Sequence, residues 1–244
     1  AMCDGVIHLA SFPRQKVVND NPLLGSKYMS EGLLNLLENS VKHNVNKFVY
    51  ISSSMVYGDF TNDTDESAAT NPIGQYGILK LAGEWLVKDY ARRGLNTTVI
   101  RPSAVYGPRD VDDRVLSKFM LSALRDETLT VRGAAEVLDF TYVDDTAQGI
   151  VLAALSDNAN GNCYNITRSS SKAYTLLDAA EICVKLAGRG RINCVDRDLN
   201  FPSRGRLSVD RASQDFEYSP SVDLDEGLKR YYDWYLQHPV LWRR

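Results

Sequence analysis

Tyr76 and Lys80, in Gln75-Tyr76-Gly77-Ile78-Leu79-Lys80, stand four residues apart, downstream of a serine run, Ser52-Ser53-Ser54. On a helix that spacing puts both side chains on one face, so the Lys80 ammonium can sit beside the Tyr76 phenol. A free phenol titrates at about 10 and is a poor base at neutral pH. Bringing it to about 7 takes roughly 4 kcal/mol of phenolate stabilisation, within reach of one or two nearby cations at low effective dielectric. A serine hydroxyl at a strand end could then hold the substrate oxygen that Tyr76 protonates or deprotonates. Tyr-x3-Lys recurs by chance in many helices. Here it follows a strand, a serine cluster and a loop, and precedes a strand ending in Arg101-Pro102. In that order it reads as the acid/base apparatus of a hydride-transfer enzyme.

The elements that must position these residues read as strands alternating with helices. Residues 5–10 are a short apolar run, hence a buried parallel strand. Leu33, Leu34, Leu36, Leu37 and Val41 form a helical stripe ending near His43. Residues 47–52 are the next strand, and the β-branched residues 97–101 a third, halted by Pro102. Between these two strands a polar loop through Asp63, Asp65 and Glu66 enters the Tyr76 helix, which continues with Leu79, Ala82, Leu86 and Tyr90 to Gly94. Strands separated by helices of this length predict an α/β fold with a parallel sheet covered on both faces.

After Pro108 the rhythm changes. Residues 115–124 read as a helix, 129–131 as a short strand, 137–142 as another, and 162–166 as strand-like; Asp144 and Asp145 open a helix through Leu155. Thr175 to Asp178 carries a capping box for a helix to Leu186. Asp223 to Glu226 carries a second, for a last helix with Leu228, Tyr231 and Tyr235 on its core face. There is no internal repeat or low-complexity segment.

Composition narrows the class. The chain has 244 residues, 44% hydrophobic and 24% charged, with a net charge of −3, enough for one large domain or two small ones. A slightly acidic balance without basic runs leaves no footprint for nucleic acid or a membrane surface, and no apolar stretch approaches the roughly 20 residues that span a bilayer. Cys3, Cys163, Cys183 and Cys194 show neither disulfide-framework density nor paired metal spacing, and three histidines make no zinc site, so no metal is expected. A cytoplasmic protein is expected. The chain opens Ala1-Met2-Cys3-Asp4, without initiator methionine or charged leader, and enters an apolar run at once; it is expected to be a fragment beginning inside a domain.

Five stretches together resemble the extended short-chain dehydrogenase/reductase family, specifically its nucleotide-sugar epimerases and dehydratases. They are Asp4 to Ala10, Ser52 to Asp59, Tyr76 with Lys80, Arg101 to Arg109, and Leu138 to Asp145. The resemblance covers essentially the whole chain. It implies a Rossmann-type doubly wound parallel sheet binding NAD, with a smaller C-terminal α/β part binding the nucleotide sugar. On that pattern residues 1–105 are a partial NAD-binding domain to which 137–167 returns, and 106–136 with 168–244 form the substrate-binding domain. The family's phosphate-cradling glycine motif is not in this sequence; Gly188-Arg189-Gly190 lacks the third glycine and the preceding strand. By resemblance the first strands, roughly 70 residues in units of about 30, are missing, and residues 1–244 alone are expected to bind NAD poorly and to be inactive.

The resemblance implies catalytic roles for Ser53, Tyr76 and Lys80, with Leu9, Ala10, Ser11, Ser52, Tyr76, Lys80 and Pro102 against NAD. Ser53 and Ser54 would touch the sugar. Dehydratases of the family carry an acidic pair at the two positions after the catalytic serine, and the sugar-nucleotide decarboxylases keep a glutamate there; this chain has Ser54 and Met55, which argues for 4-epimerisation. Three family positions depart: Ala104 and Leu138 where Asn and Arg are common, and Met29 where an Asn usually precedes the helix glycine, Gly32. Phosphate charge must then be met by Arg204 and Arg206, or by Arg109 and Arg114, since a guanidinium binds phosphate bidentately. His8 reads as a packed strand histidine. The expected activity is an NAD-dependent nucleotide-sugar 4-epimerase, acting as a homodimer. A reductase or dehydratase of the same family, or a non-catalytic fragment of the fold, stand as alternatives.

Overall fold

A computed structural model describes residues 3–12 and 15–243. The chain runs β1 (Gly5–His8), α1 (Gln15–Asp20), α2 (Pro22–Ser26) and, through a π-helical turn at Lys27–Glu31, α3 (Gly32–Lys42). Then come β2 (Lys47–Ile51), α4 (Gly74–Arg92), β3 (Thr97–Pro102), β4 (Val105–Tyr106), α5 (Val115–Leu124), β5 (Thr128–Arg132) and β6 (Thr141–Tyr142). The rest is α6 (Val143–Leu155), β7 (Cys163–Ile166), α7 (Leu176–Ala187), β8 (Arg191–Val195), α8 (Asp210–Phe216) and α9 (Leu224–Gln237).

Among the described residues the main sheet is parallel, in the order β1-β2-β3-β7. Parallel pairing needs a crossover between successive strands, and α4 supplies it between β2 and β3. Alternation along β2 then decides what each face buries. Phe48 and Tyr50 pack with Leu33, Leu37, Val87 and Tyr90 under α3 and α4, while Val49 joins Ile100, Ile150, Tyr164 and Ile166 under α6. Both faces are covered, as the continuous apolar strands predicted. A third core holds the second lobe, with Leu116, Phe119 and Met120 of α5 against Ala179, Ala180 and Cys183 of α7 and Leu228, Tyr231 and Tyr235 of α9. Ala212, Phe216 and Tyr218, within 168–244, pack on the main sheet instead.

Several local readings need correction. β1 ends at His8 and is half-exposed, with Ile7 40% accessible, because β2 is its one sheet partner among the described residues. α3 buries Leu33, Leu37 and Ser40; Leu34, Leu36 and Val41 face outward, since a 3.6-residue period cannot bury the whole leucine run. The strand read over 137–142 shrinks to Thr141–Tyr142, and Val137 makes only an isolated bridge to Thr175. Thr175 and Asp178 do form a capping box. Asp223 does not cap α9 with its side chain; its carboxylate pairs with Arg168 at 2.8 Å. No helix among the described residues is long and apolar enough to cross a membrane.

Candidate active site

The carboxyl ends of β1, β2 and β3 lie side by side, and Leu9 to Ser11, Ser52 to Ser54 and Ser103 follow them directly. Ser53 leaves β2 extended, at φ −165° and ψ 151°, and caps a one-turn 3-10 helix, Ser54–Val56. Its oxygen accepts the Met55 N–H at 3.2 Å. A hydroxyl has one donor and two acceptor positions, so this cap leaves the Ser53 proton for the Tyr76 phenol, with which it hydrogen-bonds. The Tyr76 backbone N–H is anchored to Asn19 Oδ1 at 3.1 Å.

Opposing influences act on Tyr76. Crowding of its hydroxyl by protein atoms pushes the phenol above its ordinary value, while Arg114 and the Ser53 hydrogen bond pull it down. Lys80 shares the same helix face, its Nζ 5.8 Å from the Tyr76 ring and 5.4 Å from the Tyr50 ring. The ammonium donates to the Ile51 carbonyl at 2.7 Å. Lys80 is 4% exposed; burial lowers it to about 8, with Glu84 acting in the opposite direction. Across from it His8 is held below the usual imidazole range by burial and by Lys80. It is stacked on Tyr50, as a packed strand histidine.

α4 reaches this position because glycine lets it approach closely. A Cβ at Gly77 would come within 2.8 Å of the Met55 carbonyl oxygen and 2.9 Å of Pro72 Cβ. Beneath the site runs a polar chain that the sequence did not announce. Ser52 Oγ donates to Glu84 Oε1 (2.5 Å), and Arg101 binds both Glu84 oxygens (2.9 and 2.6 Å). Arg101 also reaches Tyr57 Oη (2.9 Å), which donates to Asn165 Oδ1 at 2.8 Å. Glu84 lies four residues after Lys80, and that spacing is the one signal that could have found it.

On the substrate side, Ser54 is buried and donates to Ser103 Oγ at 3.1 Å. The four candidate arginines divide. Arg114 and Arg204 line one cavity with Tyr106, Asp110, Leu138 and Phe140. Burial and the neighbouring Arg114 bring Arg204 down to about 10, and its Nε is enclosed without a hydrogen-bond partner. Arg114 pairs with Asp110 at 3.5 Å. Arg206 lines a different cavity, bound by Asp63 and the Ser170 carbonyl. Arg109 is exposed, at φ 69°.

The residues fit a nicotinamide nucleotide at its nicotinamide end. The enclosed Ser11 hydroxyl beyond β1 has no hydrogen-bond partner, and the Lys80 ammonium has donors beyond the one given to Ile51. Pro102 closes β3 beside them. The carboxyl ends of parallel strands, where the serine, tyrosine and lysine gather, are where open α/β sheets bind their ligands.

Residues 1–167 match the NAD dependent epimerase/dehydratase family, and the chain belongs to it; it is an NAD-dependent enzyme. It is 28% identical over 229 residues to the uncharacterized UDP-glucose epimerase YtcB of Bacillus subtilis strain 168, covering 92% of this chain and 72% of that protein. The dTDP-glucose 4,6-dehydratase of Streptomyces griseus is 26% identical, covering 98% of this chain and 74% of that protein. The crystal structure of UDP-glucuronic acid 4-epimerase from Bacillus cereus, in complex with UDP-glucuronic acid and NAD, superposes with a TM-score of 0.89 at 29% identity. That match covers 96% of this chain and 76% of the other.

Proposed function

We propose that the protein is a 4-epimerase of a nucleotide-linked hexose. The observation that carries this is the filling of the two positions after Ser53. Ser54 spends its hydroxyl on Ser103, and Met55 is buried with no ionisable group, so neither can protonate a departing hydroxyl. Elimination needs such an acid; removing and returning a hydride at one carbon does not.

NAD, held by Ser11 and Lys80, would supply the hydride acceptor and donor for C4 of the sugar. Tyr76, as phenolate, takes the C4 hydroxyl proton and later returns it. With substrate in place, Ser53 turns its one proton from Tyr76 to the C4 oxygen, its cap to Met55 being kept. Lys80 holds positive charge near the phenolate and a hydrogen-bond donor for the nicotinamide ribose. Between the two transfers the 4-keto sugar turns about its phosphate linkage. Arg204 and Arg114 meet the diphosphate, a role supported by the unpartnered Arg204 Nε in their shared cavity. Arg206, held by Asp63, and exposed Arg109 are given no part.

Two copies are proposed to pair through α3 and α4. Leu34 and Val41 on one helix, and Ile78 and Trp85 on the other, are exposed apolar side chains spaced seven apart, hence on one face of each helix.

Incubating the intact gene product and NAD with UDP-, GDP- and dTDP-hexoses tests the assignment. One of them should give a product of unchanged mass, with C4 inverted by NMR. Loss of water or carbon dioxide in the mass spectrum would overturn it.

A further inference from the structure

Two successive turns of α4 grip the end of β2 from behind the site. Lys80 donates to the Ile51 carbonyl, and one turn later Glu84 accepts the hydroxyl of Ser52, the residue next to Ser53. Glu84 and Arg101 are a nearly enclosed ion pair, with side chains 10% and 7% exposed. Such pairs are weak contributors to stability, because desolvation offsets their attraction and an apolar pair of the same volume would serve as well. Their geometry says more. The chain Ser52–Glu84–Arg101–Tyr57–Asn165 ties β2, α4, β3, the turn after Ser53 and β7 at the level of the reacting groups.

We propose that Glu84 is a positioning residue for the proton transfer. By holding Ser52 it fixes Ser53 against Tyr76, and by standing one turn beyond Lys80 it keeps that lysine charged. This rests on the reading of Ser53, Tyr76 and Lys80 as the proton machinery. The groups facing Lys80 are His8 from β1, Tyr50 from β2, Tyr76 and Glu84 from its own helix, with Arg101 of β3 behind Glu84. Glu84 is the carboxylate in that set, and it opposes the lowering of Lys80 by burial.

The test uses the free protein with 13C-labelled lysine, Lys80 being assigned from K80R. Glu84→Gln should move the Lys80 titration midpoint down by about half a unit or more, and Glu84→Asp should leave it near the wild-type value. In turnover, E84Q should lower kcat by about tenfold with little change in KM, and shift the alkaline limb of the pH profile toward lower pH. Ser52→Ala, which keeps the ion pair, should lower kcat with the Lys80 midpoint unchanged. It carries the positioning test if E84Q does not fold. An unmoved midpoint in E84Q, or a kcat in S52A equal to wild type, overturns the proposal. If E84Q shifts the midpoint while the wild-type protein turns over no nucleotide sugar, the Glu84–Lys80 coupling stands and the assigned reaction falls.

Discussion

Tyr76 must act as a base from an environment that by itself opposes its ionisation. Burial raises the phenol, and the influences in the other direction come from Ser53 and Arg114. Tyr76→Phe in the intact gene product removes the proton carrier and keeps the ring, so kcat should fall by about 10² or more with fold and NAD binding retained. Turnover within about threefold of wild type would remove Tyr76 from the mechanism. Arg114→Gln deletes a cation that favours the phenolate. The phenol's pKa then rises, less phenolate is present at neutral pH, and the acidic limb of the kcat profile should move to higher pH. An unmoved limb would confine Arg114 to binding. Lys80 acts in its charged form and loses that charge above about 8. In wild-type enzyme kcat/KM should therefore decline on the alkaline side of that value, as a pH series would record.

At the scale of elements, catalysis depends on how closely α4 approaches the turn after β2. Gly77 permits the contact with Met55 and Pro72, and Gly83 permits one with Tyr50, whose ring a Cβ there would meet at 2.6 Å. Gly77→Ala would force helix and turn apart while slightly favouring the helix itself. The net result should be a loss of about 1–3 kcal/mol in urea unfolding, from overpacking. Because the displacement separates Tyr76 from Ser53, kcat should fall as well; stability lost without any change in kcat would show that this helix–turn distance does not set the rate.

For the whole molecule, the outward faces of α3 and α4 carry the oligomer question. Ile78→Asp and Trp85→Glu place charge where apolar side chains are exposed, so the double variant should run as a monomer in light scattering while the wild type runs as a dimer. A wild-type monomer, or a variant dimer, would place the contact elsewhere.

What the sequence determined by itself was local. The four-residue spacing of Tyr76 and Lys80, the capping box of Thr175 and Asp178, and the apolar runs of β2 and β3 each depend on neighbours within one helical turn or one strand, where periodicity and capping chemistry suffice. The tertiary structure decided which of several equivalent groups is used. Arg204 and Arg206 are two residues apart and alike in kind, yet Asp63, far away in the chain, engages one and leaves the other beside Arg114. Ser52, Glu84 and Arg101 look unrelated until three elements bring them within hydrogen-bond distance. Charge pairing and burial depend on distance in space, and residues on separate elements acquire that distance only when the sheet and its helices pack.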